Sequence, residues 1–204
     1  MAPSGDATRE RLLDEAERLF ALKGVDGVTT REIVDAARQR NASAISYHFG
    51  SRQGLLLALL ARRGGPVDDE RGRRRDELGD EPMVADLVAC LVEPFGELLG
   101  SASGRSYLRI VAQLRGRFAS WRVESDAATT HHLARILDAI EQRASPDPDI
   151  ARERVVALIM LMTSSIAERA RRIDDGSTPN LSHDAFVANL VAMCTAVVVA
   201  GNGG

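Results

Sequence analysis

The chain has 204 residues, 26 basic and 29 acidic side chains for a formal net charge of −3, and a hydrophobic fraction of 45%, which suits one large domain or two small ones around a real core and argues against disorder throughout. Its two cysteines, Cys90 and Cys194, fall in no metal-ligand spacing, which excludes a disulfide scaffold and a thiolate zinc site. There is no apolar leader, and the longest aliphatic run, Val191 to Ala200, is too short to span a bilayer, so a soluble, cytoplasmic protein with no membrane partner is expected.

The pattern along the chain is helical almost everywhere. Leu12, Leu13, Ala16, Leu19 and Phe20 recur at helical spacing from about Asp6 to Lys23, and Gly24 stops that helix. Thr29 followed by Glu32 reads as a capping box opening a short helix through Ala37. Asn41 is a second N-cap signal, for a segment ending near Phe49 and Gly50. Ser51 caps a third helix carrying Leu55, Leu56, Leu59 and Leu60 to Arg63. Gly64-Gly65-Pro66 then predicts a break, and the charge-dense stretch 67–81 a solvated helix or linker. Amphipathic segments follow at about 82–99, 104–120, 126–144, 148–174 and 182–200, the fourth announced by Asp147 as N-cap with Pro148 at the first helical position. No alternating strand pattern occurs, so the expected fold is all-α.

Charge is unevenly placed. Residues 1–63 hold 10 basic and 8 acidic side chains, whereas 64–204 hold 16 and 21. No acid lies between Asp35 and Asp68, while Arg38, Arg40, Arg52, Arg62 and Arg63 do, giving the locally positive surface that a protein approaching a polyanion needs. Three short helices, the second and third joined by Arg38-Gln39-Arg40, have helix-turn-helix proportions: one helix fits a major groove and its partner braces it. Ile33, Val34 and Ala37 are expected to pack on Ile45 and Phe49, and the small Ala42, Ser43, Ala44 and Ser46 leave the outer helix slim. Tyr47 and His48 stand where their polar atoms reach phosphate. Ser51 and Arg52 combine a helix N-terminus with a guanidinium, which suits a phosphate.

These residues carry a family likeness. The run TREIVDAARQRNASAISYHFGSRQGLLLALL at 30–60 resembles the N-terminal domain of TetR-family transcriptional regulators, matching at Thr30, Ile33, Ala37, Ile45, Tyr47, His48, Phe49, Gly50, Ser51, Arg52 and Leu55. The likeness implies a DNA-binding domain over 1–63, with its helix-turn-helix at about 30–49, and a helical effector-binding and dimerisation domain over 64–204. Base or groove contact is expected from Ser43, Ser46 and Tyr47, and phosphate contact from Thr29, Thr30, His48, Ser51 and Arg52. Arg40 is either a phosphate ligand or an exposed turn charge. Tyr47 and His48 also admit plain packing and surface roles. The family usually has Ala-Gly-Val where this chain has Arg38-Gln39-Arg40, so Gln39 is expected to be left-handed at a cost of about 1 kcal/mol.

In the second half, Val155, Ile159, Met162 and Ile166 on one long helix, and Phe186, Leu190, Cys194 and Val197 on the last, look too apolar for a monomer's surface. The resemblance implies that they pair with a second copy in a homodimer; an intramolecular core is the other reading. Met83, Leu87, Leu91, Phe95, Tyr107, Leu114, Phe118, Trp121, Met160 and Met162 either line a cavity for an apolar effector or simply fill a core. Arg105 and Arg109 share a helix face, as solvated charges or as ligands of an anion. No P-loop, GxGxxG, HExxH, GxSxG or di-iron pattern is present, so no enzyme activity, cofactor or metal is expected. The reading is a homodimeric regulator of near-palindromic double-stranded DNA, most simply a repressor released by a small-molecule effector. The rival is an all-α ligand-binding or catalytic protein whose N-terminal helices only pack.

Overall fold

The computed structural model describes residues 5–114 and 130–201. Among these residues it contains nine α-helices, one 3-10 turn and no strand. α1 (Gly5–Lys23) buries Leu12, Leu13, Ala16, Leu19 and Phe20 and ends at Gly24, whose positive φ lets its N–H reach the Phe20 carbonyl. α2 (Thr30–Ala36), α3 (Ala44–Phe49) and the start of α4 (Arg52–Glu77) close a small core with it from Ile33, Val34, Ala37, Ile45, Leu55 and Leu59.

The break at Gly64-Gly65-Pro66 does not occur, because α4 runs unbroken through all three residues. A proline inside a helix forgoes one backbone hydrogen bond, and tertiary packing outweighs that loss. Val67, Asp68, Arg71 and Gly72 are buried at i, i+1, i+4 and i+5, which is one helical face. Several of the remaining charges of this stretch pair, Arg73 with Glu70 and Glu77 and Arg74 with Glu70, Glu93 and Glu97. Of the two readings of 67–81, helix and linker, the helix holds as far as Glu77, but as the second half of α4 with one face buried.

Behind it lie α5 (Val84–Glu97), a 3-10 turn (Leu98–Gly100), α6 (Ala102–Leu114), α7 (His131–Ala144), α8 (Pro148–Asp174) and α9 (His183–Val199). α8 packs along α6, α7 and α9; α5 rests on α9, α7 and α4. Asp147 caps α8 as its sequence foretells, accepting from the N–H groups of Asp149 and Ile150. α7 is capped from another helix. Asp68 of α4, itself buried, accepts from the N–H groups of His132 and Leu133, each at 2.8 Å. The two halves of the chain are also sewn together by Gln113, which accepts from Val25 N–H at 2.8 Å and donates to the Phe20 carbonyl.

Burial corrects two groups of expected residues. Val155, Ile159, Met162, Ile166, Leu190 and Cys194 are all spent inside the chain's own core, with Phe186 and Val197 half-buried. Helical apolar periodicity marks a buried face without saying which chain buries it. The exposed apolar positions of these helices include Ile150, Ala157 and Met160 on α8 and Ala185, Ala188, Ala192, Met193, Ala196 and Val199 on α9. Met83, at 73% exposed, and Met160, at 50%, face solvent and line no interior cavity. Leu87, Leu91, Phe95 and Tyr107 are buried and Leu114 is partly so. Phe118 and Trp121 lie outside the described residues.

Candidate nucleic-acid interface

The interface is built from local capping chemistry. Thr29 accepts from the N–H of Glu32, whose carboxylate receives the Thr29 N–H at 2.8 Å and the Thr29 hydroxyl at 2.9 Å, a complete capping box. The same carboxylate takes the Lys23 ammonium at 2.8 Å. Lys23 first and Thr29 second hold the Glu32 carboxyl down at about 2. Because this pKa is lowered on folding, its stabilisation is complete above the usual carboxylate range and fades as pH falls from 4.5 toward that value.

The turn differs from the expected one by a single residue. Arg38, not Gln39, is left-handed at φ 54. Its neighbour's N–H closes back on the Val34 carbonyl at 3.0 Å, and the Gln39 side chain bonds the Ala37 carbonyl. This six-to-one closure is a Schellman end, which places the left-handed residue directly before the closing N–H. Glycine suits that position better than arginine, so Arg38→Gly is expected to stabilise the protein by about 0.5–1 kcal/mol. A thermal melt with no upward shift would contradict the assignment of the strain to residue 38.

Asn41 does not cap α3 directly. Its Oδ1 accepts from Ser43 N–H at 2.9 Å and its carbonyl from Ala44 N–H, an Asx turn that delivers Ser43 as the N-cap two residues later. α3 buries Ala44 and Ile45, while Ser43, Ser46 and Tyr47 face outward, Tyr47 at 82% exposure. His48 is half-buried with its ring edge-on to Tyr47, the centroids 4.9 Å apart. Phe49 packs inward beneath Arg9, whose guanidinium carbon sits 5.1 Å from the ring centre.

Apart from the half-buried His48, the expected contacts sort into three groups. Thr30, Arg40, Ser43, Ser46 and Tyr47 are exposed, and their side chains make no hydrogen bond or ion pair among the described residues. Thr29 and Ser51 are exposed but already cap α2 and α4, the latter by accepting from Gly54 N–H at 2.9 Å. Arg52 is turned inward. Its guanidinium donates to the carbonyls of Val25 and Val28 and lies 5.3 Å from the Phe20 ring centre. It clamps the α1–α2 loop onto α4 in place of binding a phosphate, because those two carbonyls have no helical donor and the guanidinium satisfies both at once.

Sequence reasoning passed over Arg31, Glu17 and Gly54. Arg31, its side chain 90% exposed and only 3.8 Å from Asp35, extends the basic surface from α2. Glu17, buried on the core face of α1, ties down Arg62 at 2.5 Å and Arg63 at 3.1 Å. Its position beside Ala16 and Phe20 on one face was the available signal. Gly54 has no side chain where the Phe49 carbonyl approaches α4, a close approach that nothing in its neighbours' identities announces.

Comparison with known proteins agrees with this arrangement. The family model described as bacterial regulatory proteins, tetR family, matches residues 12–59, from within α1 to the first part of α4. The HTH-type transcriptional repressor AcnR of Corynebacterium efficiens is 26% identical over 133 residues, 64% of this chain and 66% of that protein. The HTH-type transcriptional repressor NicS of Pseudomonas putida is 29% identical over 89 residues, 43% of this chain and 42% of its own length. The matched stretches thus span under two thirds of these relatives. Among solved structures, NalD of Pseudomonas aeruginosa, the secondary repressor of the MexAB-OprM multidrug efflux pump, superposes with a TM-score of 0.62 at 20% identity, covering 94% of this chain and 96% of that one. The fatty acid degradation regulator FadR of Bacillus halodurans gives 0.58 at 14% identity, covering 95% of each. At these identities the likeness is one of fold.

Proposed function

The chain belongs to the TetR family of bacterial regulatory proteins, and on that premise we propose that it is a homodimeric, sequence-specific DNA-binding repressor released by a small-molecule effector. The observation that carries the reading is the outward face of α3. Its inner residues Ala44 and Ile45 are consumed by the core, while Ser43, Ser46 and Tyr47 are exposed, as are Arg31 of α2 and Arg38 and Arg40 of the turn that precedes α3. A helix so presented enters a major groove with its flanking arginines on phosphates. Two such helices in a symmetric dimer read half-sites about one helical turn apart. In this division of labour α1–α3 and the first turns of α4 bind DNA, and the remainder binds effector and partner.

The test is selection of random duplex DNA by the purified protein at near-physiological salt. Enrichment of an inverted repeat is expected. On that repeat, Tyr47→Ala is expected to weaken binding about tenfold while changing stability by less than about 0.5 kcal/mol, since the side chain is mostly solvated. Arg40→Ala is expected to lower the salt dependence by about one phosphate contact. Folded protein that enriches nothing, or a Tyr47→Ala variant of undiminished affinity, returns the N-terminal helices to the role of scaffold.

The dimer is assigned to the small, exposed apolar face of α9 (Ala188, Ala192, Met193, Ala196 and Val199) together with Ala157 and Met160 of α8. A charge there has no place in a packed interface. Ala192→Asp with Met193→Glu is expected to leave the fold intact and halve the mass measured by sedimentation. A double variant that still sediments as the wild type removes this face from the dimer.

A further inference from the structure

The second half of the chain buries a guanidinium that has no carboxylate at contact distance among the described residues. Arg71 lies on the inner face of α4, 6% exposed. One of its terminal nitrogens makes a long 3.4 Å hydrogen bond to the Leu91 carbonyl, and its guanidinium carbon sits 5.4 Å from the centre of the Phe95 ring. Its buried Nε has no hydrogen-bond partner among the described residues. Asp68, one turn earlier on α4, spends its carboxylate oxygens on the His132 and Leu133 N–H groups.

Tyr107 of α6 completes the cluster. It is buried, its ring stands edge-on to Phe95 with centroids 6.2 Å apart, and its hydroxyl makes no hydrogen bond among the described residues. Burial pushes the Arg71 pKa down and raises that of the Tyr107 hydroxyl to about 12, each being the cost of keeping a charge from water. Arg74 is answered by Glu70, Glu93 and Glu97, and Arg105 and Arg109 by Asp174; Arg169 shares an unpartnered buried Nε but makes a normal 2.7 Å hydrogen bond to the Leu181 carbonyl.

We propose that Arg71 and Tyr107 form the anion-binding end of the effector site, and that the effector is a small molecule bearing one carboxylate on an apolar body. The inference rests on the reading that this half of the chain binds an effector. A planar carboxylate accepts two guanidinium N–H groups in parallel and a phenol O–H beside them, while Phe95 and Leu91 supply apolar surface for the body. Asp68 acts on Arg71 through space without forming an ion pair with it, so the site carries at most one positive charge, which suits a monoanion and disfavours a phosphate dianion.

The energetics give the proposal a sign. A buried charge held as a structural strut is lost at a cost, whereas an unpaired one is replaced by an apolar side chain of similar volume neutrally or with a gain. Arg71→Met is therefore expected to melt at or above the wild-type temperature without ligand. Binding to the full-length protein is measured by calorimetry and thermal shift with hexanoate and benzoate, and with hexanamide as the neutral counterpart of the first. At least one carboxylate is expected to bind saturably and hexanamide not at all. Arg71→Met should weaken that binding by about thirtyfold and Tyr107→Phe by about five- to tenfold. Absence of carboxylate binding, equal binding of hexanamide, or undiminished affinity in either variant overturns the proposal, and Tyr107→Phe decides it alone should Arg71→Met not fold. Binding that depends on Arg71 yet leaves affinity for the selected DNA unchanged keeps the site and sinks the release reading. DNA binding with no carboxylate binding does the reverse.

Discussion

Replacing Glu17 by alanine is expected to destabilise the protein by about 3 kcal/mol, the lower end of what breaking a buried ion pair costs. The carboxylate is 4% exposed and holds two guanidinium groups, Arg62 at 2.5 Å and Arg63 at 3.1 Å. Burial opposes the Arg62 charge, but hydrogen bonds to Asp14, Glu17 and Glu10 outweigh it and raise its pKa above the ordinary guanidinium value. In the variant Arg62 keeps Asp14 at 2.8 Å and Glu10 at 3.2 Å, and Arg63, partly solvated, turns to water, so neither is stranded completely. Urea unfolding should show the loss as a lower midpoint with an unchanged slope. A loss below about 1 kcal/mol would mean that the core of α1 holds α4 without this pair.

The second large effect belongs to Gly54. A Cβ built there falls onto the backbone carbonyl of Phe49, the last residue of α3. A backbone oxygen does not rotate aside as a side chain does, so Gly54→Ala forces α3 and α4 apart. Overpacking of this kind costs about 1–3 kcal/mol. Where the chain relieves it by moving α3, the same free energy appears as a loss of DNA affinity of about ten- to a hundredfold. Gly65→Ala is the control, in the same helix with nothing within 4 Å of the added carbon. It should leave DNA binding unchanged and stabilise by about 0.5–1 kcal/mol, as alanine does in a helix interior. Wild-type binding and stability in Gly54→Ala would show that the contact yields cheaply.

What was legible in the sequence was what is decided locally. The capping box of Thr29 and Glu32 and the Asp147-Pro148 start act within one helical turn, and both stand where their residues foretell. What was not legible is decided at a distance. Gly64-Gly65-Pro66 reads as a break because its partners across the core, met by Val67, Asp68, Arg71 and Gly72, are far away in sequence. Arg52 reads as a phosphate ligand because the carbonyls that claim it belong to residues 25 and 28. The apolar faces of α8 and α9 look the same whether buried by their own chain or by a second one, and only the fold separates Leu190 from Met193. The inward orientation of Arg71 was hidden in a run of charges whose other members are solvated.

The unbroken α4 has a mechanical consequence. Its 26 residues make a rod about 39 Å long, with Ser51 and the end of α3 at one tip and Asp68, Arg71 and the α7 cap toward the other. A tilt of about 5° at one end carries the opposite tip through about 3 Å, a shift comparable to the length of a hydrogen bond. Pro66 sits between the two working ends and leaves one rung of the backbone ladder unmade. Under the proposed release mechanism, the stiffness of α4 at Pro66 would set how much of a movement around Arg71 arrives at Tyr47.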